Sequence, residues 1–162
     1  QVSLCLRPGE IFCLLGHNGA GKTTTLNILT GLTPLSGGDA TICGRSVRHD
    51  MGEIRTRIGV CPQFDCLWGN LSAQEHLEIF GAIKGIRAAD LAAEARARLD
   101  QVKLGQVAPG LTGTFSGGMR RRLSVAVACI GDPRVIFLDE PTTGMDPMSR
   151  RVVWDLIAKM NQ

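Results

Sequence analysis

The chain has 162 residues, 44% hydrophobic and 20% charged, which suits one globular domain with a sizeable core. Its formal charge of +3 is too small to argue for nucleic acid or a membrane surface as partner. His17, His49 and His76 are scattered and no CxxC pair occurs, so no metal-ligand cluster is expected. Cys5, Cys13, Cys43, Cys61, Cys66 and Cys129 read as small buried side chains of a reducing compartment. No signal peptide and no long apolar span is present, so the chain is expected to be soluble. It begins abruptly and stops within an apparent helix over Val152–Met160, as a piece of a longer protein would.

Pro8-Gly9-Glu10 is a turn leading into Ile11–Leu15, a wholly apolar run of the kind a buried parallel strand shows. Next comes Gly16-His17-Asn18-Gly19-Ala20-Gly21-Lys22-Thr23, which fills every fixed position of G-x-x-x-x-G-K-[ST]. A helix over Thr24–Leu32 follows, with Leu26, Ile28, Leu29 and Leu32 on its inner side. Strand, glycine loop and helix form a phosphate cradle. Consecutive backbone N–H groups wrap a polyphosphate at a helix end whose dipole favours negative charge. Glycines let the backbone approach closely and take positive φ. In such a loop Lys22 bridges the β- and γ-phosphates, and the Thr23 hydroxyl ligates Mg²⁺.

Pro34–Asp39 is a turn, Ala40–Cys43 a short strand closed by Gly44, and Ile58–Cys61 a second short strand ending at Pro62-Gln63. A polar residue just beyond a strand end, here Gln63, can reach a ligand held at the carboxyl edge of a parallel sheet. From Asn70 the pattern turns helical. Ser72 and Glu75 make a capping box before a helix with Leu77, Phe80 and Ile83 on its apolar face. A second helix between Asp90 and Lys103 carries Leu91, Ala95, Leu99 and Val102 on one side and a Glu94–Arg98 pair on the other. Val107–Thr114 is loop-like. Phe115–Met119 then opens a third helix whose apolar side holds Met119, Leu123, Ala126, Val127 and Ile130, while Arg120, Arg121 and Arg122 read as a solvated or interface face. Val135–Leu138 is a strand ending in Asp139-Glu140. Asp146-Pro147 is an N-cap followed by proline at the first helical position, starting a helix with Met148, Val152 and Leu156.

The acidic pair supplies what the phosphate loop lacks. An aspartate at the tip of a buried strand can hold Mg²⁺, which assigns Asp139 to the metal. Glu140, one residue on, emerges on the other side of the chain, where it can orient and deprotonate a water. Ser116-Gly117-Gly118 at a helix start is a second anion-binding element. One site needs one cradle, so the second either serves the nucleotide of another copy or is simply a serine-capped helix.

Taken together, these motifs resemble the nucleotide-binding domain of an ATP-binding cassette (ABC) protein, from about residue 3 to the last. GHNGAGKT resembles the Walker A motif, Gln63 falls at the Q-loop glutamine, and Phe115–Met119 resembles the signature motif. VIFLDE resembles Walker B and Gly144-Met145-Asp146 the D-loop. The run SGGMRRRLSVAVACIGDPRVIFLDEPTTGMDP, with CPQFDCLW around Gln63, is similar to subfamily A, the lipid exporters. FSGGM replaces the usual LSGGQ, a departure that bears on the polar contact of that last residue and leaves the serine and glycines in place.

The resemblance implies an α/β fold, a P-loop NTPase with a mostly parallel sheet core and an inserted α-helical subdomain. It divides the chain into a RecA-like core over 1–69 and 132–162 and a helical subdomain over 70–131, within a single domain truncated at both ends. It implies ATP and Mg²⁺ as cofactors. Gly16 through Thr24, with His17, Asn18, Gly19, Ala20, Gly21, Lys22 and Thr23, bind the phosphates. Thr23, Gln63 and Asp139 surround the metal, and Glu140 is the general base. Ser116, Gly117 and Gly118 reach the γ-phosphate of a facing subunit in a head-to-tail dimer, and Asp146 links the two sites.

The implied partners are a second nucleotide-binding domain and a transmembrane domain of the same or another chain, with no nucleic acid. The place is the cytoplasmic face of a membrane. A separately encoded bacterial-type subunit and a soluble ABC protein acting on ribosomes or DNA remain alternatives. The family's adenine-stacking aromatic should precede residue 1 and its switch histidine follow residue 162; neither Phe12 nor His76 sits at those places. The isolated chain is therefore expected to bind ATP weakly and hydrolyse it poorly.

Overall fold

The computed structural model describes residues 3–160. Its elements in chain order are α1 (Lys22–Leu29), β1 (Thr41–Ile42), β2 (Arg45–Ser46), α2 (Met51–Arg57), β3 (Ile58–Cys61), α3 (Ala73–Ile83), α4 (Ala88–Gln101), α5 (Gly117–Cys129), β4 (Val135–Leu138) and α6 (Pro147–Met160). The arrangement is α/β. The two apolar tetrads β3 and β4 pair in parallel, from Ile58 beside Val135 to Cys61 beside Leu138. Helix α5 lies against β3 so closely that a Cβ at Gly59 would stand 1.8 Å from the Ala128 carbonyl oxygen. Only glycine admits that approach.

The larger core joins this pair to the helices through Leu77, Leu99, Leu123, Ile130 and Val153, all buried. Ile42, Val47, Ile54 and Ile58 form a smaller core under the hairpin and α2. The capping box is present: the Ser72 hydroxyl accepts from the Glu75 N–H, and the Glu75 carboxylate from the Ser72 N–H. This second bond, together with the Ser72 hydroxyl, holds the Glu75 carboxyl below its ordinary value.

Several expectations are corrected. Ile11–Leu15 is not a strand, and Leu15 is 83% exposed. An apolar run becomes a buried strand only when its backbone finds a ladder, and among the described residues β3 and β4 pair only with each other. Helix α1 runs from Lys22 to Leu29, so Leu32 lies beyond it and is exposed. Ala40–Cys43 is one arm of a hairpin: Thr41 pairs with Ser46 and Ile42 with Arg45. Between them Cys43 and Gly44 both take positive φ, 50° and 76°, as a type I′ turn demands. Helix α2, between that hairpin and β3, was not expected.

On α3 Leu77 is buried but Ile83 is 70% exposed, and on α6 Met148 is exposed while Val152 and Leu156 are buried. The Glu94–Arg98 pair is present at 2.7 Å, with Arg98 buried between Glu94 and Asp132. Only Cys61 and Cys129 are buried; Cys5, Cys13, Cys43 and Cys66 are exposed, and all six are free thiols.

Candidate functional site: a phosphate loop facing a metal-type cleft

Residues 16–23 form an open loop that turns into α1. Gly19 and Gly21 take φ of 84° and 88°, where only glycine sits without cost, and Gly21 is the N-cap of α1. Gly16 is needed for another reason: a Cβ there would meet that of Ala20 at 3.0 Å. Nothing lies within 4 Å of a Cβ built at Gly19 or Gly21, so that backbone faces open space. The Ala20 N–H donates to the His17 carbonyl at 3.1 Å. Lys22 arches back over the loop, its ammonium donating to the carbonyls of Gly16 at 2.8 Å and His17 at 3.0 Å. The His17 ring turns to the Asn18 carbonyl at 2.8 Å. Thr23 and Thr24 fall in the first helical turn, where backbone N–H groups have no intrahelical acceptor.

A cleft of about 320 Å³ opens beside the loop, lined by Thr23 and Asn27 of α1, by Cys61 at the end of β3 and Pro62–Phe64 after it, and by Phe137 of β4 with Asp139 just beyond that strand. It brings Thr23, Gln63 and Asp139 to one surface from three distant parts of the chain. A hydroxyl, an amide oxygen and a carboxylate are hard oxygen donors, the set that suits Mg²⁺. No group of three His, Cys, Asp or Glu side chains able to hold a metal occurs among the described residues. The Asp139 N–H donates to the Cys61 carbonyl at 2.9 Å, extending the parallel ladder to the strand tip and fixing where that carboxylate emerges.

Glu140 does not line the cleft. Its backbone takes φ of 47°, unusual outside glycine, and its carboxylate accepts from the Thr143 hydroxyl at 3.1 Å across the turn. Of the two adjacent acidic residues, Asp139 lines the cleft and Glu140 is bonded to Thr143 outside it.

At the third station, Ser116 caps α5, its hydroxyl accepting from the Met119 N–H at 3.2 Å. Gly117 faces open space, while a Cβ at Gly118 would meet the Asp146 carboxylate at 3.1 Å and the Ser149 hydroxyl at 2.9 Å. The loop around Asp146 therefore backs the first turn of α5. Asp146 caps α6, accepting from the Ser149 N–H at 2.9 Å, and that bond holds its carboxyl below the ordinary value. Ser116, Gly117 and Gly118 lie outside the cleft that joins Thr23, Gln63 and Asp139.

The arginine run is the clearest departure from the sequence reading. Arg120 donates to the Phe115 carbonyl, and Arg122 to the carbonyls of Val102 and Lys103 at the end of α4. Arg121 is buried and bonded to the turn after β3 and to the turn after β4. Asp65 and Ser124 belong to the same cluster, their side chains 2.8 Å apart. Sequence reading placed Arg121 on a solvated or interface face and did not single out Asp65 or Ser124. One signal was available: Arg121 precedes the buried Val125 by four residues and so shares its helix face.

His76 has a structural role. Buried and stacked on Trp68, it accepts from the Trp68 N–H at 2.9 Å and pins the end of the Gln63 loop to α3.

The ABC transporter family matches residues 1–143. ABC transporter A family member 11 of Arabidopsis thaliana is 58% identical over 150 residues, which are 91% of this chain and 16% of that protein. ATP-binding cassette sub-family A member 2 of Homo sapiens is 45% identical over 98% of this chain and 6% of its own length. The chain thus spans under a fifth of the curated relatives it matches. A solved dimeric ATP-binding cassette, in a post-hydrolysis state bound to ADP and Pi, superposes with a TM-score of 0.89 at 26% identity, covering 98% of this chain and 72% of its own. The ATP binding subunit of an ABC transporter superposes at 0.80 and 24% identity over 91% of this chain and 61% of that one, a likeness of fold alone.

Proposed function

The chain belongs to the ABC transporter family, with its similarity to the A subfamily, and from that premise we propose that it is a domain whose ATP binding and hydrolysis drive transport across a membrane, with lipid as the cargo. The observation that carries this reading is the cleft in which Thr23, Gln63 and Asp139 meet beside the open phosphate loop.

The loop N–H groups from Gly19 to Thr24, with Lys22, hold the polyphosphate. Thr23, Gln63 and Asp139 would hold Mg²⁺, which would supply positive charge to offset that of the polyphosphate. Glu140 orients the attacking water and takes its proton. Its separation from Asp139 supports two roles for two carboxylates. Residues 1–69 and 132–162 act as the core and 70–131 as the helical unit. Ser116, Gly117 and Gly118 serve the γ-phosphate of a facing copy in a head-to-tail dimer, with Asp146 at that interface. The dimeric state of the solved relative supports this arrangement. A transmembrane domain is the second partner, at the cytoplasmic face.

ATP turnover by the full-length protein carrying Glu140→Gln tests the reading. Turnover should fall by at least about 10²-fold with ATP still bound, the scale of losing a general base. Unchanged turnover would refute the assigned base.

A further inference from the structure

We propose that Arg121 is a positioning residue for ATP hydrolysis, its guanidinium setting the backbone that carries Glu140 and Gln63 against the signature helix. The proposal rests on the reading of Glu140 as the base. Arg121 sits in α5, one turn after the Ser116 cap, and its side chain is 6% exposed. Nε donates to the Pro141 carbonyl at 3.1 Å, and Nη2 to the carbonyls of Asp139 at 2.7 Å and Glu140 at 3.0 Å. Nη1 donates to the Pro62 carbonyl at 2.5 Å and the Asp65 carboxylate at 3.3 Å. A guanidinium has five N–H groups in a planar fork, and here five oxygens meet it.

Which carbonyls it holds matters more than how many. The Asp139 and Glu140 carbonyls belong to the peptide planes on either side of the Glu140 Cα. Fixing both planes fixes the direction in which the Glu140 side chain leaves the chain. That backbone sits at φ of 47°, a region an L-residue occupies only when its surroundings impose it. The Pro62 carbonyl belongs to the peptide whose nitrogen is Gln63. One side chain therefore ties the base, the Gln63 loop and the first turns of α5 into a single unit. Asp65, which also accepts from the Ser124 hydroxyl at 2.8 Å, anchors it from the loop side. Lysine, a point donor with three N–H groups, cannot span these acceptors.

The test is a cycle in the full-length protein, reading kcat and KM for ATP in Arg121→Lys, Glu140→Gln and the double variant. Arg121→Lys should lower kcat by about 10²-fold, the cost of a small misplacement of a reacting group, with KM changed less than about threefold. In the Glu140→Gln background, Arg121→Lys should lower the residual rate by less than about tenfold, because only its hold on the Gln63 loop is left to act. A general folding defect would cost the same factor in both backgrounds, and that result would overturn the proposal. So would wild-type turnover in Arg121→Lys when Glu140→Gln is inactive. Wild-type turnover in Glu140→Gln alone would overturn the base assignment and this proposal with it. If Arg121→Lys does not fold, Asp65→Asn takes its place in the cycle. It should lower kcat by about threefold to tenfold, as loss of one charge-assisted bond does, and show the same dependence on Glu140; an equal loss in both backgrounds would overturn the proposal.

Discussion

Gly16–Thr23 and Ser116–Gly118 both place glycines at the start of a helix, yet the two are held in opposite ways. The first is held by itself. Gly19 and Gly21 take positive φ, Lys22 bonds carbonyls five and six residues back, and α1 buries no residue fully. The second is held by the rest of the molecule. Helix α5 buries Leu123, Val125, Ala126 and Ala128, touches the β3 backbone at Gly59, and reaches the Gln63 loop through Arg121. A motif of the first kind needs only the right residues in a short window. One of the second kind is only as good as its distant contacts, so damage to the core should reach it first.

That contrast sets the size of what substitutions do. Leu123→Ala removes a fully buried side chain of the large core and should lower unfolding free energy by about 3–5 kcal/mol. Leu15→Ala, on the exposed run beside the phosphate loop, should change it by less than about 0.5 kcal/mol. Chemical denaturation of the two variants measures both, and equal losses would break the contrast. Next in size is Gly59→Ala, which forces α5 away from β3 and should cost about 3 kcal/mol by the same assay. Gly21→Ala meets no neighbouring atom and should cost only the left-handed strain of about 1–2 kcal/mol, while weakening ATP binding more than stability. Ser116→Ala removes the α5 cap and should cost about 1 kcal/mol, seen as a lower Tm.

How much was legible from sequence follows the same division. The phosphate loop, the strands Ile58–Cys61 and Val135–Leu138, the Ser72 and Ser116 caps and the Asp146 cap were all readable, because each rests on residues within a few positions. Ile11–Leu15 was misread because its apolar character says nothing about whether a partner strand stands beside it. The β1–β2 hairpin was missed because its turn, Cys43-Gly44, lacks the usual Asn or Asp. Arg121 was taken for surface because charge is scored one residue at a time, whereas its acceptors lie up to 59 positions away.

Smaller effects probe the same difference through titration. Burial pushes the Cys61 thiol up to about 11 and the Cys129 thiol up to about 12, so neither should alkylate at neutral pH, whereas exposed Cys43 and Cys66 should. Intact-mass analysis after brief iodoacetamide treatment reads this directly, and early modification of Cys129 would mean that the helical core opens easily. The smallest effect concerns the caps. The Glu75 and Asp146 carboxyls lie below their ordinary 4.5 and 3.8, so each stabilises the fold above those values and loses that contribution as pH falls through its lowered one. Asp146→Asn should flatten the acid limb of a stability–pH curve slightly, and an unchanged limb would show the cap to be silent.

Fractionation of the native full-length protein, detected with an antibody against this chain, tests most directly whether this ATPase fold works within a membrane transporter. Retention in the membrane pellet after an alkaline wash is the expected result, since it places the chain in one polypeptide with membrane-spanning helices. Release by that wash would instead mean a separate subunit docked on a membrane partner. Recovery in the soluble fraction from the start would contradict the transport reading.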